Sequence, residues 1–173
     1  FSVSAPSQST AGQALLVSWS VSNTGEGETG VSEWDDRVYL CPGVLFDPNS
    51  AVSLGSYRHT GALASGEGYT ETRHVELPLH VMGSFCVFVK TDSGNRVAEC
   101  EFENNNLGRS PLTVDDSGEP GPRETVKVVS TPPDLQAYSL VAPTTADSGR
   151  FITVHWSVLN SGVGPTQSGV WTD

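Results

Sequence analysis

Residues Val17–Asp36 read V-S-W-S-V-S-N-T-G-E-G-E-T-G-V-S-E-W-D-D, and this stretch occurs a second time. From Val154 the chain reads V-H-W-S-V-L-N-S-G-V-G-P-T-Q-S-G-V-W-T-D. The two copies are offset by 137 residues, and the alignment extends without a gap back to Phe1, which matches Tyr138. Fourteen of the 36 aligned residues are identical. A repeat as long as a domain predicts a tandem array of separate globular units, not a solenoid of short repeats.

The repeat also predicts where the domains lie. We expect a first domain at residues 1–131, with its first strand region partly missing, a proline-rich linker at 132–137, and the N-terminal part of a second copy at 138–173. The glycines and prolines within 115–124 predict an exposed insertion in the first domain. Because the alignment begins and ends inside a unit, we expect the chain to be a segment of a longer array.

The composition limits the classes of partner. A net charge of −11 argues against binding to nucleic acid, which requires a basic surface. No run approaches the roughly 18 apolar residues that would span a bilayer. We therefore predict an extracellular or cell-surface protein with no membrane span in this segment.

The hydrophobic pattern predicts strands. Within Ala14–Asn23, apolar residues alternate with polar ones, so that Leu15, Val17, Trp19 and Val21 share one face. Further strands are predicted where β-branched and aromatic residues end at turn residues, namely Arg37–Cys41, Val52–Tyr57, Tyr69–Leu77, Phe85–Thr91 and Thr125–Val129. Their spacing predicts an all-β, Ig-like antiparallel β-sandwich of about seven strands.

Three segments together resemble the CARDB (cell-adhesion-related) domain family. They are Gly12–Gly25, with V-S-W-S-V-S-N-T-G, Trp34–Leu40, with W-D-D-R-V-Y-L, and Val87–Asn105, with V-F-V-K-T-D-S-G-N-R-V-A-E-C-E-F-E-N-N. The resemblance covers most of residues 1–114. It implies an Ig-like sandwich that recurs in tandem in large extracellular proteins, and it implies no catalytic activity.

We interpret the chain as a structural repeat unit of an extracellular filament or adhesin, not as an enzyme. Its partners would be neighbouring copies of the same repeat or chain, and a mastigoneme-like surface filament is our hypothesis for the parent. One alternative is a module that binds a glycan or protein through Trp34, although Trp34 also suits packing at the sandwich rim. Another is a spacer domain in a multidomain secreted enzyme.

An acidic cluster is the best candidate for a metal site. Asp92, Asn95, Glu99 and Glu103 are oxygen-bearing residues on a turn and the segment that follows it, and oxygen ligands suit Ca²⁺. The spacing matches no standard calcium loop. The alternative is that these side chains shape the turn and tie down irregular backbone.

The three cysteines are Cys41, Cys86 and Cys100. If the strands carrying Cys41 and Cys86 are adjacent and antiparallel, these residues lie near one end of the sandwich, and a turn near Ser93 brings Cys100 back to that end. We predict one disulfide that includes Cys86, with either Cys41 or Cys100 as its partner. Buried thiols are the alternative.

Overall fold

The computed structural model describes residues 1–110 and 125–166, and it is all-β, as predicted. The chain divides into two compact units, Phe1–Ser130 and Thr131–Asp173. The first unit holds the strands β1 (Ser2–Ser4), β2 (Gln8–Thr10), β3 (Ala14–Ser22), β4 (Glu33–Cys41), β5 (Val52–Thr60), β6 (Gly68–Glu76), β7 (Gly83–Lys90), β8 (Leu107–Arg109) and β9 (Val126–Val129), with a 3₁₀ helix at Cys100–Asn105.

The described strands of the first unit form two sheets. One has the order β1-β3-β6, and the other has the order β2-β9-β7-β4-β5, with β8 also paired to β7. Every pair is antiparallel except β2 and β9, which run parallel with Gln8 opposite Lys127. The predicted sandwich is therefore present, with one short parallel pair at an edge.

The main core lies between the two sheets. β3 contributes Leu15, Val17 and Trp19, which are all at most 1% exposed, as its period of two predicts. The facing and flanking strands complete this core with Val38, Leu40, Val75, Phe85, Val87, Val89, Val126 and Val128. This core fixes the register of β4 and β7, on which the candidate sites are built.

β4 begins four residues before its predicted start at Arg37. Trp34 and Asp36 point to the same buried face as Val38 and Leu40, so the alternation continues through a polar residue. A buried aspartate breaks the apolar pattern that sequence reading follows, and this is why the strand was predicted too short.

The second unit is described as an antiparallel hairpin of β10 (Leu135–Val141) and β11 (His155–Asn160). Residues 135–137 of the expected linker therefore belong to a strand. Ile152, Trp156 and Val158 align with Leu15, Trp19 and Val21 of the first copy, but each is at least 42% exposed, because no second layer covers the hairpin among the described residues. The expected insertion at 115–124 and the last seven residues of the second copy lie outside the described residues.

Candidate functional site

A buried carboxylate joins the two sheets near the start of β4. Asp36 is 1% exposed, and its Oδ2 accepts hydrogen bonds from Trp19 Nε1 at 2.7 Å and from the Tyr69 hydroxyl at 2.6 Å. Its Oδ1 accepts a third hydrogen bond, from Thr91 Oγ1 at 2.7 Å. The acceptor comes from one sheet and two of its donors, on β3 and β6, come from the other. Asp36 is thus a polar cross-link within the sandwich.

Aromatic rings surround the Tyr69 end of this network. His59 stacks on Tyr69 with ring centroids 3.8 Å apart, and Trp34 lies 4.2 Å from His59. Trp34 Nε1 also donates to the Tyr69 hydroxyl at 3.1 Å. Because Trp34 is 2% exposed, it packs at the rim of the sandwich and offers no exposed platform for a sugar ring.

Burial is the main reason that the pKa of Tyr69 lies well above its ordinary value, and the neighbouring Asp36 charge and hydrogen bond act in the same direction. A neutral phenol is therefore retained as a donor. The sequence contained a signal for this network that apolar periodicity missed. The residues Trp19, Trp34 and Asp36 are each identical in the second copy, as Trp156, Trp171 and Asp173.

The predicted metal residues occupy different positions around the 92–106 segment. Asp92 is 3% exposed, and its two carboxylate oxygens accept hydrogen bonds from the Arg96 and Val97 amides, both at 2.8 Å. Asp92 and Asn95 both have positive φ values, of 41° and 51°, so these two residues shape the turn. The hydrogen bonds from the Arg96 and Val97 amides therefore support the turn-shaping role of Asp92.

Glu99 and Glu103 do lie together. The Glu99 amide donates to Glu103 Oε1 at 3.1 Å, and Asn106 Nδ2 donates to Glu99 Oε2. Glu103 Oε2 is buried without a hydrogen-bond partner among the described residues. Within residues 1–110 and 125–166, no group of three or more His, Cys, Asp or Glu side chains is arranged to hold a metal ion. The four predicted residues are thus not gathered at one point, and calcium stays a prediction.

Two of the three cysteines face each other. Cys41 on β4 is the register partner of Cys86 on β7, and both are buried with Phe88 beneath the segment carrying Val44 and Phe46. The third, Cys100, is exposed on the 3₁₀ helix. No disulfide bond joins cysteines in the described part of the chain. The geometry therefore favours Cys41 over Cys100 as the partner of Cys86 if a bond forms.

A groove opens at one end of the first unit, beside the turn Asn23–Gly27. Its volume is about 450 Å³, and Phe1, Trp34, Leu63 and Phe102 are among the residues that line it. Phe102 is 60% exposed there. The sequence did not indicate this groove, because its lining comes from five separate stretches of the chain.

Among known proteins, matches to this chain are found in solved structures. No family model and no curated protein matches the chain. Solved structures do match. The chain is similar to CARDB domains. A crystal structure of the CARDB domain of the PF1109 protein from Pyrococcus furiosus, in complex with di-metal ions, is 19% identical, with 74% of this chain and 84% of that chain covered and a TM-score of 0.47.

A solution structure of the same CARDB domain is 20% identical, covering 74% of this chain and 91% of that one, with a TM-score of 0.45. A superoxide reductase (neelaredoxin) from Ignicoccus hospitalis is 18% identical over 73% of this chain and 78% of its own, with a TM-score of 0.36. These likenesses concern the fold alone. None of the described helical segments is long and apolar enough to cross a bilayer.

Proposed function

We propose that the chain is a non-catalytic adhesion-type module that serves as a repeat unit of an extracellular filament or adhesin. CARDB domains, to which the chain is similar, are cell-adhesion-related domains. The polar residues buried in the first unit support this proposal, because Asp36 and Asp92 are engaged by donors of their own unit. Their contacts are those of residues that stabilise a scaffold.

The observation that carries the proposal is the joint before the second copy. The expected linker is hydrogen-bonded to the second unit. The Asp134 amide donates to Asn160 Oδ1 at 3.0 Å, and the Ser161 amide donates to the Asp134 carbonyl at 2.7 Å. A joint fixed to the unit that follows it transmits force along a chain better than a flexible tether does. This suits a load-bearing repeat.

Neighbouring copies of the chain are the partners that we propose. Each sheet of the first unit has one long edge strand, β5 in the larger sheet and β6 in the smaller. Edge strands carry unpaired backbone groups that a second copy can pair with. Arg58 on β5 and Arg73 on β6 lie on these edges, with Glu33, Asp35 and Glu71 as their ion-pair partners.

Calcium belongs to the same proposal. The specific observation in its favour is the buried Glu103 Oε2, which lacks a hydrogen-bond partner in the described part of the chain and lies on the side chain that contacts Glu99. A cation held by these two side chains would stiffen the 92–106 segment. Glu103→Gln would remove the charge and keep the size of the side chain.

Electron microscopy of the native parent assembly, with and without a calcium chelator, tests the proposal. We expect a regular axial repeat that corresponds to the 137-residue unit. Loss of the filaments in chelator would support a calcium ion at the acidic segment, and persistence would restrict the proposal to direct protein contacts. Separate, flexible particles in both conditions would overturn the filament function.

A further inference from the structure

In the second unit, the turn that follows β11, the equivalent of β3, binds an extended segment of the chain. In this unit the turn is Asn160–Gly164, and the extended segment Thr131–Asp134 lies against it. Asn160 Oδ1 accepts from the Asp134 amide at 3.0 Å, and the Ser161 and Gly164 amides donate to the Asp134 and Pro132 carbonyls at 2.7 Å and 3.3 Å. The segment contributes backbone groups to all three of these contacts, and its Asp134 carboxylate accepts a further hydrogen bond from Ser161 Oγ at 2.8 Å.

Two glycines allow the segment to come this close. A Cβ atom at Gly162 would overlap the Asp134 amide nitrogen, and a Cβ atom at Gly164 would overlap the Thr131 carbonyl oxygen. Neither glycine has a positive φ. Close approach of the proline-rich segment, not backbone conformation, is therefore what requires glycine at these two positions.

The same turn exists in the first unit as Asn23–Gly27. Asn23 Oδ1 accepts from the Gly25 amide at 3.0 Å, and Asn23 Nδ2 donates to the Gly27 carbonyl at 2.7 Å. In the second unit, Asn160 makes the matching bonds at 3.1 Å and 2.8 Å. The two turns therefore have the same internal structure.

In the first unit, however, nothing outside the turn lies close to these glycines. A Cβ atom at Gly27 would meet nothing within 4 Å, and one at Gly25 would meet only Asn23 Oδ1. Both have ordinary φ values, since neither is among the residues with positive φ. These glycines line the groove of about 450 Å³, together with Thr24 and Phe1. The space that the segment fills in one unit is open groove in the other.

We propose that this groove is a receptor for an extended Thr-Pro-Pro-Asp segment from a unit of the same kind. The inference rests on the proposed function, because it takes the units to be repeated. Asn23 Oδ1 accepts from the aspartate amide, while the Thr24 and Gly27 amides donate to the aspartate carbonyl and the first proline carbonyl. The register follows from the repeat, because Thr131–Ala137 immediately precedes Tyr138, the equivalent of Phe1.

The chemistry of the groove suits this occupant. A Pro-Pro segment is already extended in solution, so that little conformational entropy is lost when it binds. In the second unit the backbone of the segment and the Asp134 carboxylate, which accepts from Ser161 Oγ at 2.8 Å, supply the polar contacts. In the first unit the apolar rings of Phe1 and Trp34 line the groove. Glu26 and Glu28 replace Val163 and Pro165 of the second unit, so they repel the aspartate side chain, and moderate salt should strengthen binding.

The test uses the whole chain with Thr-Pro-Pro-Asp-Leu-Gln-Ala joined directly before Phe1. We expect hydrogen exchange at the Thr24 and Gly27 amides to slow about fivefold relative to the unextended chain. The variant Gly27→Ala should abolish this protection, because the new methyl group occupies the position of the peptide carbonyl. Its own folding should be unaffected, since open space surrounds that position.

Gly94→Ala is the matched control, because Gly94 also faces open space and does not line the groove. It should keep the full protection. Equal exchange in the extended and unextended chains would overturn the proposal, as would equal protection in Gly27→Ala. A failure here leaves the axial repeat of the parent assembly untouched, so it can be told apart from a failure of the filament function.

Discussion

Asp36 is a buried acceptor of three hydrogen bonds in the first unit. We expect Asp36→Ala to lower the free energy of unfolding by about 3 kcal/mol, because it leaves the buried donors Trp19 Nε1 and Thr91 Oγ1 without their acceptor. Urea unfolding followed by tryptophan fluorescence measures this change. Removal of a buried acceptor costs more than loss of an average hydrogen bond, since the unpaired donors stay desolvated.

The neighbouring residue provides the control for that experiment. Asp35 pairs with Arg58 at 3.4 Å on the exposed side of the same strand. Asp35→Asn should change the free energy of unfolding by less than about 1 kcal/mol, because exposed ion pairs contribute little. Similar losses in the two variants would show that the buried network has no special weight.

The raised pKa of Tyr69 should make the stability of the first unit fall at alkaline pH. This pKa is raised in the folded state by burial and by Asp36, above the ordinary value of 10.0. The stabilisation is therefore complete below pH 10 and is lost as pH rises above it, where the unfolded chain releases the phenolic proton and the folded chain retains it. The loss approaches about 1.4 kcal/mol per pH unit.

Urea midpoints between about pH 8 and pH 11 test this. Tyr69→Phe should be less stable than the wild type at neutral pH, and its stability should fall less steeply at alkaline pH. Tyr57→Phe is the comparison, since the pKa of Tyr57 is also raised by burial, but Arg73 opposes the shift. Parallel curves for wild type and Tyr69→Phe would contradict the assignment.

At the scale of single residues, the sequence predicted the apolar core and missed the polar one. Leu15, Val17 and Trp19 were found by their alternation, which any half-buried strand imposes. A buried aspartate is stable inside a sandwich only when donors satisfy its carboxylate. Asp36 was missed because its donors come from residues up to 55 positions away in the sequence. No local pattern contains that information.

At the scale of elements, the pairing of β4 with β7 makes a specific prediction about the cysteines. Directly opposed residues in antiparallel strands have Cα atoms about 4.5–5.5 Å apart, within the range that a disulfide spans. We expect refolding under oxidising conditions to link Cys41 to Cys86, with Cys100 left alkylatable. Non-reducing peptide mapping by mass spectrometry identifies the linked peptides.

The bond should add about 2–4 kcal/mol to the free energy of unfolding. Cys41→Ser should remove this gain, whereas Cys100→Ser should leave it intact. Because Cys41 and Cys86 are buried, the link should form during folding and resist reduction in the native state. Linkage of Cys86 to Cys100, or three alkylatable thiols, would contradict the prediction.

Elements differed in how far the sequence revealed them. The nine-residue strands β3 and β6 were found almost to the residue, β3 by its alternation and β6 by a run of β-branched and aromatic residues that ends at turn residues. Strands β1, β2 and β8 have three residues each and were missed, since such short segments carry no measurable period. The parallel β2–β9 pair joins residues more than 100 positions apart, and only the fold could reveal it.

At the scale of the molecule, the repeat was the most informative feature of the sequence. Residues that are identical in the two copies include some that make the same hydrogen bonds in both units. Asn23 and Asn160, the first residues of the two turns, are an example. The repeat could not reveal the groove, because the glycines that define it have a structural reason only where a segment occupies the equivalent space. Comparison of the two units supplied that reason.

The charge of the whole molecule sets the conditions under which copies should associate. At a net charge of −11, two chains repel each other over distances of about 30 Å at 0.01 M salt and about 10 Å at 0.1 M salt. If edge strands such as β6 pair through backbone hydrogen bonds, salt weakens the repulsion and leaves the contact intact. We therefore expect association to strengthen as ionic strength rises. Sedimentation velocity over a salt series measures it.

A matched variant identifies the edge that is used. Proline at Thr72, in the middle of β6, removes a backbone donor and also the Thr72 hydroxyl, which donates to Ser18 Oγ within the same sheet. Because β6 also pairs with β3, a gentler change is needed, and Thr72→Lys keeps the strand while adding charge to the edge. It should weaken association at every salt concentration if β6 is the edge involved.

Association of the wild type that weakens as salt rises would instead indicate contacts between oppositely charged patches. A monomer at every salt concentration would remove lateral pairing from the filament proposal.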